Sequence, residues 1–436
     1  MKSIVMRSGI APGQSVAVIG SGISGLASAW FLGQRHRVTL FEKDARLGGH
    51  TNTCSVQLEG VDQPVDTGFI VYNRPNYPHL NAMFKHLKVP IENTEMSFSV
   101  SVDQGRIEYS GNNLNTLFAQ RRNLLSVAHW KMLAEILRFN RQAKKDLFNG
   151  QLRTLSLESY LLKHHFSLRM RDYYLLPMAA AIWSCPVKTM MAFPAESFLR
   201  FFENHGLLNI QDRPQWETVK GGAQNYIDAL MHKANFSVAY DSVRGVAKSA
   251  DGLKVITKNG EAFFDHVVFA AHGDQNWRLF DSTLQQSFSC MQAFKYQQNI
   301  AYLHSDPRLM PRRKNAWASW NYLRESCSEE RNVAVTYWMN QLQNIPLKTP
   351  LLVTLNPLQE PEEHKTFQRI QYEHPVFDQG AMDAQKSLSG LQGVDNCWFV
   401  GAYTGYGFHE DGLRSAVDLA RRWNVSLPWE NRRTEV

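Results

Sequence analysis

Three glycines and one glutamate carry the first chemical signal in this chain. Residues 20–25 read Gly20-Ser21-Gly22-Ile23-Ser24-Gly25, directly after the apolar run Val16-Ala17-Val18-Ile19, and a second apolar run, Val38-Thr39-Leu40-Phe41, ends at Glu42. Gly20 allows a tight turn, Gly22 lets the backbone touch a pyrophosphate, and Gly25 lets a helix pack close to a strand. The open N–H groups around Ile23 and Ser24 and the positive helix end then face the phosphates. Glu42 would accept a hydrogen bond from a ribose 2′-OH and repel a 2′-phosphate, which disfavours NADP. Each residue needs an element behind it: a strand over residues 16–19, a helix opening at Ile23 with Leu26, Ala27, Trp30 and Phe31 as its buried stripe, and a second strand delivering Glu42. A glycine turn in an ordinary α/β sheet is the plainer reading, and the acid at the required distance argues against it.

The residues after Glu42 separate FAD from NAD. The run Glu42-Lys43-Asp44-Ala45-Arg46-Leu47-Gly48-Gly49-His50 resembles the extended fingerprint of the FAD-dependent amine oxidase and phytoene desaturase superfamily. There the arginine and the paired glycines wrap the FAD diphosphate and ribitol, which implies cofactor contacts at Lys43, Arg46, Gly48, Gly49 and His50. Asp66-Thr67-Gly68-Phe69 resembles the next element, and the likeness places Thr67, Gly68 and Phe69 near the flavin end.

Near the other end of the chain, Trp398-Phe399-Val400-Gly401-Ala402 is an apolar strand ending in glycine, and a loop through Tyr403, Tyr406 and His409 leads into a helix with Leu413, Ala416, Val417, Leu419 and Ala420. By resemblance this is the carboxy-terminal FAD motif. Residues near Gly401 and Ala402 approach the ribitol and phosphates, and a helix opening at Gly412 and Leu413 aims N–H groups at the flavin N1 and C2 carbonyl. Ala402 departs from the pattern, because the superfamily often has an acid there to hold the ribitol. A third piece, residues 220–271, opens a helix at Lys220-Gly221-Gly222 and continues in strands with an Asn259-Gly260 turn. The likeness puts the adenine against the backbone near Val243.

These pieces imply an α/β fold, a Rossmann-type FAD-binding domain with an inserted α+β substrate domain in the amine oxidase topology. The FAD domain is expected at 14–75, 215–280 and 391–430. Two insertions build the substrate domain: 76–214, read as mostly helical (157–166, 168–183, 195–202), and 281–390, read as strands (299–304, 317–322, 333–339, 351–355). At 436 residues the chain exceeds one ordinary core, and about two domains are expected.

The longest apolar stretch, near residues 175–183, is far short of the roughly 18 residues that span a bilayer, and residues 1–14 do not read as a secretory signal. The five cysteines, Cys54, Cys185, Cys290, Cys327 and Cys397, are scattered without CxxC spacing. They read as reduced thiols in a cytoplasmic protein without a metal site. Much of the net charge of +7 lies within residues 121–145, where Arg121, Arg122, Lys131, Arg138, Arg141, Lys144 and Lys145 alternate with Leu124, Leu125, Val127, Trp130, Leu133, Leu137 and Phe139. This basic amphipathic helix is either a solvated face or a surface that docks peripherally on anionic phospholipid, at the inner membrane surface. Nothing resembles a nucleic-acid module.

A closer resemblance covers nearly the whole chain. The stretches Ile182-Trp183-Ser184-Cys185, Phe201-Phe202-Glu203-Asn204-His205-Gly206-Leu207-Leu208, Trp317-Ala318-Ser319-Trp320-Asn321-Tyr322, Thr336-Tyr337-Trp338-Met339-Asn340 and His409-Glu410-Asp411-Gly412 resemble a bacterial branch of predicted NAD/FAD-binding proteins. That branch is associated with cyclopropane-fatty-acid-synthase-like methyltransferases and includes enzymes proposed to desaturate methylated fatty acyl chains. The likeness implies noncovalent FAD, a lipid or other small-molecule substrate, and a link to a fatty acyl methyltransferase. Only one nucleotide fingerprint is present, so the substrate itself would reduce the flavin at N5. His409 is the candidate base, with Tyr403 and Tyr406 as aromatic wall; the competing reading of His409 is a loop histidine satisfied locally. Trp317, Trp320, Tyr322, Tyr337 and Trp338 would line an acyl tunnel or form ordinary core. Three classes stand open: a lipid-desaturating oxidoreductase, a flavin amine oxidase with an aromatic cage, and a non-catalytic flavoprotein partner.

Overall fold

The computed structural model describes residues 10–150, 152, 155–183, 190–209, 214–325 and 333–430. Residues 1–9, Ser184, Cys185 and Cys327, all used in the sequence reading, lie outside the described residues. The first glutamate and glycine signals sit on a five-stranded parallel sheet in the order Ser237–Tyr240, Arg37–Glu42, Ser15–Ile19, His266–Phe269, Cys397–Phe399. Its central strand pairs Val16 with Val38 on one side and with His266 on the other. Val16, Ala17 and Val18 are fully buried, as befits a parallel strand covered on both faces. The helices Ile23–Leu32 and His409–Arg422 pack on one face through Leu26, Trp30, Leu413, Ala416 and Val417. The antiparallel meander Val243–Ser249, Gly252–Thr257, Glu261–Phe264 covers the other face through Val246 and Val255.

A seven-stranded sheet forms the second layer system, in the order Thr366–Val376, Lys295–His304, Leu352–Leu355, Val333–Trp338, Trp320–Arg324, Phe98–Val102, Ile107–Ser110. Four of these strands depart from the sequence reading. The hairpin Phe98–Val102/Ile107–Ser110 comes from the insertion read as helical, and Phe98–Val102 joins Trp320–Arg324 in parallel. The strand Thr366–Val376 was not anticipated, because its burial alternates weakly and its polar residues blur a period of two. The strand expected from Trp317 begins only at Trp320, since Lys314–Ala316 is a 3-10 turn. The helices Val127–Asn149, Leu157–Lys163, Leu176–Trp183 and Ala195–Asn204 stack behind this sheet around Phe139, Tyr160, Phe198 and Phe202.

The helix Gln379–Leu391 packs on the parallel sheet through Ala381, Ala384 and Leu388, although its residues fall in the stretch assigned to the second insertion. Among the described residues, no helix is long and apolar enough to cross a membrane.

Candidate active site

The strand-turn-helix around Gly20 has the geometry its residue types demand. Gly20 sits at φ +103, where an L side chain is strained, and a Cβ at Gly25 would come within 1.9 Å of the Gly20 carbonyl oxygen. A Cβ at Gly22, by contrast, would meet no atom within 4 Å, so this glycine faces an open cradle. The helix that follows begins with neither a side-chain cap nor an acid in its first turn, which leaves its leading N–H groups aimed into that cradle. Glu42 is buried at the end of its strand. Its Oε2 accepts from Ser21 N (3.0 Å) and Ser21 Oγ (2.5 Å), and its Oε1 accepts from Asp44 N (2.9 Å).

The second glycine pair closes on the first. Gly48 N donates to Ser21 O (3.0 Å), and a Cβ at Gly49 would stand 3.0 Å from Gly22 Cα. Arg46 holds this loop by donating to the carbonyls of Thr51 (2.5 Å) and Gly49 (2.7 Å), while Lys43 is exposed. Gly412 lies against the same place, because a Cβ there would meet Ser24 Oγ at 2.8 Å and Ile23 Cγ2 at 2.9 Å. The amino ends of two helices therefore converge beside one glycine cradle, an arrangement suited to a dinucleotide pyrophosphate. Val243 opens its strand three residues beyond Tyr240, whose register partner is Glu42.

The carboxy-terminal helix starts at His409, three residues before the expected Gly412. Its acids explain the early start: Asp411 Oδ2 accepts from Phe408 N and Tyr406 N, each at 3.0 Å. Glu410 accepts from His79 N and Leu80 N, each at 3.0 Å, and so caps the helix Pro78–Leu87. Burial raises Glu410 to about 7. Both acids are thus engaged by groups of the protein itself. Asp66 is likewise structural, accepting from Ala223 N (2.9 Å), Thr53 Oγ1 (2.5 Å) and Gln343 Nε2 (2.8 Å).

A cavity of about 290 Å³ lies between the glycine cradle and the seven-stranded sheet. His50, Thr67, Gly68, Phe69, Tyr406 and His409 line its cofactor-side wall, and the remaining wall includes Phe98, Met178, Phe201, His205, Trp320, Tyr337 and His374. Among the described residues, no Asp, Glu, Lys or Arg lines it. Gly68 is there by necessity, since a Cβ would come within 1.9 Å of the His50 carbonyl oxygen. Trp320 and Tyr337 are register partners that meet edge-on at 5.1 Å, whereas Trp317, Tyr322 and Trp338 do not line this cavity.

Two expectations need correction. Tyr403 is not a cavity wall: it is buried in the core beneath the parallel sheet, against Phe294 at 4.7 Å. Its ring fills the space beside Gly401, where a Cβ would stand 2.4 Å away. His409 lines the cavity but is poorly suited to take a proton. Its ring stacks on Phe69 at 4.0 Å, and Nε2 sits between Thr51 Oγ1 (3.0 Å) and Tyr226 OH (2.9 Å). Burial lowers it to about 3. Because its Nε2 is already engaged by these two hydroxyls, the ring shapes the wall instead of offering a free lone pair.

Two other cavity histidines have hydrogen bonds that fix their tautomers. His205 Nδ1 lies 2.9 Å from the Phe201 carbonyl oxygen, which can only accept, so Nδ1 carries the proton and Nε2 keeps a lone pair. His374 is the reverse. Ile300 N donates to Asn356 Oδ1 (3.0 Å), Asn356 Nδ2 donates to Asn299 Oδ1 (2.7 Å), and Asn299 Nδ2 donates to His374 Nδ1 (3.1 Å). The backbone amide at the start of this relay orients both side-chain amides, leaving the His374 proton on Nε2. Burial lowers each of the two imidazoles to about 4. His50, 5.1 Å from the His374 ring, is held well below its ordinary value by burial and by His374 and His409. The cavity thus holds neutral imidazoles, one presenting an acceptor and one a donor. The sequence quoted His205 within a motif and passed over His374, because tautomers depend on partners far apart in the chain.

Among the described residues, no group of three or more His, Cys, Asp or Glu is placed to hold a metal ion, and Cys54, Cys290 and Cys397 are free thiols. The glycine cradle, with its open Cβ position at Gly22 and two helix amino ends, fits FAD.

Comparison with known proteins agrees with this geometry. Residues 23–306 match the family described as flavin containing amine oxidoreductase. Among solved structures, a CLA-producing fatty acid isomerase from P. acnes superposes with a TM-score of 0.66 at 14% identity, covering 97% of this chain and 100% of that one. A putrescine oxidase variant gives 0.66 at 15% identity, over 95% and 99% of the two chains. A putative protoporphyrinogen oxidase from Exiguobacterium sp. 255-15 gives 0.61 at 12% identity, over 94% and 99%. No curated protein matches.

Proposed function

The chain belongs to the flavin-containing amine oxidoreductase family and is an FAD-dependent oxidoreductase, and from that premise we propose that it dehydrogenates an apolar fatty acyl chain. The observation that carries this reading is the composition of the cavity wall, which among the described residues is mostly aliphatic and aromatic, holds imidazoles that burial keeps neutral, and has no Asp, Glu, Lys or Arg. A diammonium substrate would leave its charge without a carboxylate there, at a cost of several kcal/mol. The methylenes of an acyl chain carry no charge to desolvate and gain about 0.8 kcal/mol each on burial. The structural likeness to a fatty acid isomerase is compatible with such a chain.

Gly20, Gly22, Ser24, Gly48 and Gly49 would hold FAD, which supplies a two-electron acceptor when bound. Making a carbon–carbon double bond also releases a proton from the neighbouring carbon, and that proton needs a lone pair. His205 Nε2 provides it, and the lowered basicity keeps this nitrogen unprotonated at neutral pH. His374 Nε2–H is the donor that orients a polar atom, such as a substrate carbonyl, in an otherwise apolar space. The stacked pair Phe69 and His409 forms a flat, dry wall beside the cradle.

Within this reading the substrate is a methyl-branched or unsaturated acyl chain, the product of a fatty acyl methyltransferase, and the protein works in the cytoplasm. Lipid profiling of cells with and without the protein tests this directly. Cells lacking it should accumulate the saturated or less unsaturated acyl precursor, and an unchanged acyl profile would refute the proposal.

A further inference from the structure

The helix Val127–Asn149 and the 3-10 turn Arg121–Leu125 before it form the outer layer of the helical cap. The inward side of the helix is conventional, with Met132, Phe139 and Ala143 in the core. The outward side is not an ordinary solvated face. Leu125 is 91% exposed, Val127 83% and Phe148 92%, with Trp130 half exposed between them. Trp130 Nε1 donates to Leu124 O at 2.9 Å, which pins the turn so that Leu124 and Leu125 project. Leu162 and Leu168, also exposed, lie on neighbouring turns that Arg138 staples to the helix through the His164 and His165 carbonyls.

Charge on this layer is predominantly positive. Residues 121–149 carry seven cations and two carboxylates, Glu135 and Asp146; Glu135 accepts from the Ser167 hydroxyl, and Asp146 is buried against Tyr160 and His164. Lys131, Arg141 and Lys145 are all exposed. Protruding apolar side chains flanked by basic ones suit the headgroup boundary of an anionic bilayer, where the apolar tips enter and the cations stay at the phosphates. A protein partner fits less well, because interface cores are depleted of lysine.

We infer that this layer is a peripheral docking surface for anionic phospholipid bilayers. Its position gives it a use. Lys144 bonds Asn209 and pairs with Glu203 at 3.8 Å, and the segment between those two partners supplies His205, Gly206 and Leu207 to the cavity wall. Docking would hold that wall beside the acyl region of the membrane. This use rests on the acyl-substrate reading; the docking itself does not.

The test is co-sedimentation of the flavin-loaded protein with phosphatidylcholine vesicles, with and without phosphatidylglycerol. Wild type should pellet with anionic vesicles and be released by salt. Lys131→Gln/Arg141→Gln/Lys145→Gln should weaken binding on the order of 100-fold. Leu125→Ser/Val127→Ser/Phe148→Ser should weaken the low-salt binding to anionic vesicles by a comparable factor, because the apolar tips no longer enter the bilayer. All three apolar side chains are outside the core, so flavin content and melting temperature should be unchanged. Wild type that ignores anionic vesicles would overturn the inference, as would a concentration-dependent dimer that the apolar triple variant abolishes. Flavin reduction by a soluble short-chain acyl compound, measured on the same variants, separates the two claims. Vesicle binding without any such reduction would sink the substrate reading and leave the docking surface standing.

Discussion

Asn299 Nδ2 donates to His374 Nδ1 at 3.1 Å, and Asn299 is itself oriented by Asn356, whose own amide is fixed by the Ile300 backbone N–H. A buried asparagine relay therefore determines which imidazole nitrogen carries the proton at the cavity. Its members are 75 and 57 residues from Asn299 in the chain, so only the folded sheet brings them together.

Asn299→Asp should reverse that tautomer. A carboxylate accepts from Nδ1–H, which moves the proton off Nε2 and raises the affinity of the imidazole for a second one. Substrate-dependent flavin reduction should slow by on the order of 10-fold or more, the loss of one hydrogen bond to a polar group. In wild type, the rate should show no inflection near the ordinary histidine value of 6.5, since burial lowers His205 and His374 to about 4. Stopped-flow reduction against pH checks both statements, and the variant should gain an inflection that wild type lacks.

His205→Phe isolates the proton acceptor. A phenyl ring keeps the stack on Phe201, now 3.8 Å between ring centres, and the contact with Phe408 at 5.5 Å, while removing the Nε2 lone pair. The rate of flavin reduction should fall on the order of 100- to 10,000-fold, with FAD content and melting temperature near wild type. A fully active variant would remove His205 from the chemistry.

Gly22→Val tests the cradle without disturbing the apoprotein, because its Cβ enters open space. The variant should fold with an apo melting temperature close to wild type and bind no FAD, whereas wild type should be yellow and release all its flavin on acid denaturation. Retained flavin in Gly22→Val would reduce the turn to a structural feature, and flavin left in the acid pellet would show a covalent link.

Acid should destabilise the fold through its buried imidazoles. In the unfolded chain histidines take up protons near 6.5, while folded His205, His304 and His374 do so only at about 4 and His409 at about 3. Across that window these four imidazoles bind more protons in the unfolded state, which outweighs the opposite effect of the two buried acids, Glu410 and Asp66, raised to about 7, so net stability declines as pH falls from about 6.5 toward 4. Thermal melts at stepped pH should show this decline, and a melting temperature that is flat down to pH of about 4 would mean the imidazoles titrate normally.

What the sequence revealed follows a physical division. Gly20, Gly22, Gly25 and Glu42 were legible because a tight turn, a close approach and a strand end each restrict one position to a narrow choice of residue. The helix Ile23–Leu32 and the strands Ser15–Ile19 and Arg37–Glu42 follow from local apolar runs. The hairpin Phe98–Val102/Ile107–Ser110 was missed because its partner, Trp320–Arg324, lies more than 200 residues away, as in the Ser99–Asn321 hydrogen bond with a separation of 222. Tyr403 was misplaced because a period or a spacing does not say which side of a glycine an aromatic ring will fill. His374 was invisible because its role comes from Asn299 and Asn356, two ordinary polar residues until the strands pair.

The most direct test of the account is anaerobic mixing of the oxidised holoprotein with candidate substrates while following flavin absorbance near the visible maximum. Methyl-branched or monounsaturated acyl chains should bleach the flavin and yield a product with one further double bond, while putrescine and other amines should leave it oxidised. Bleaching by amines with no response to any acyl chain would contradict the central claim.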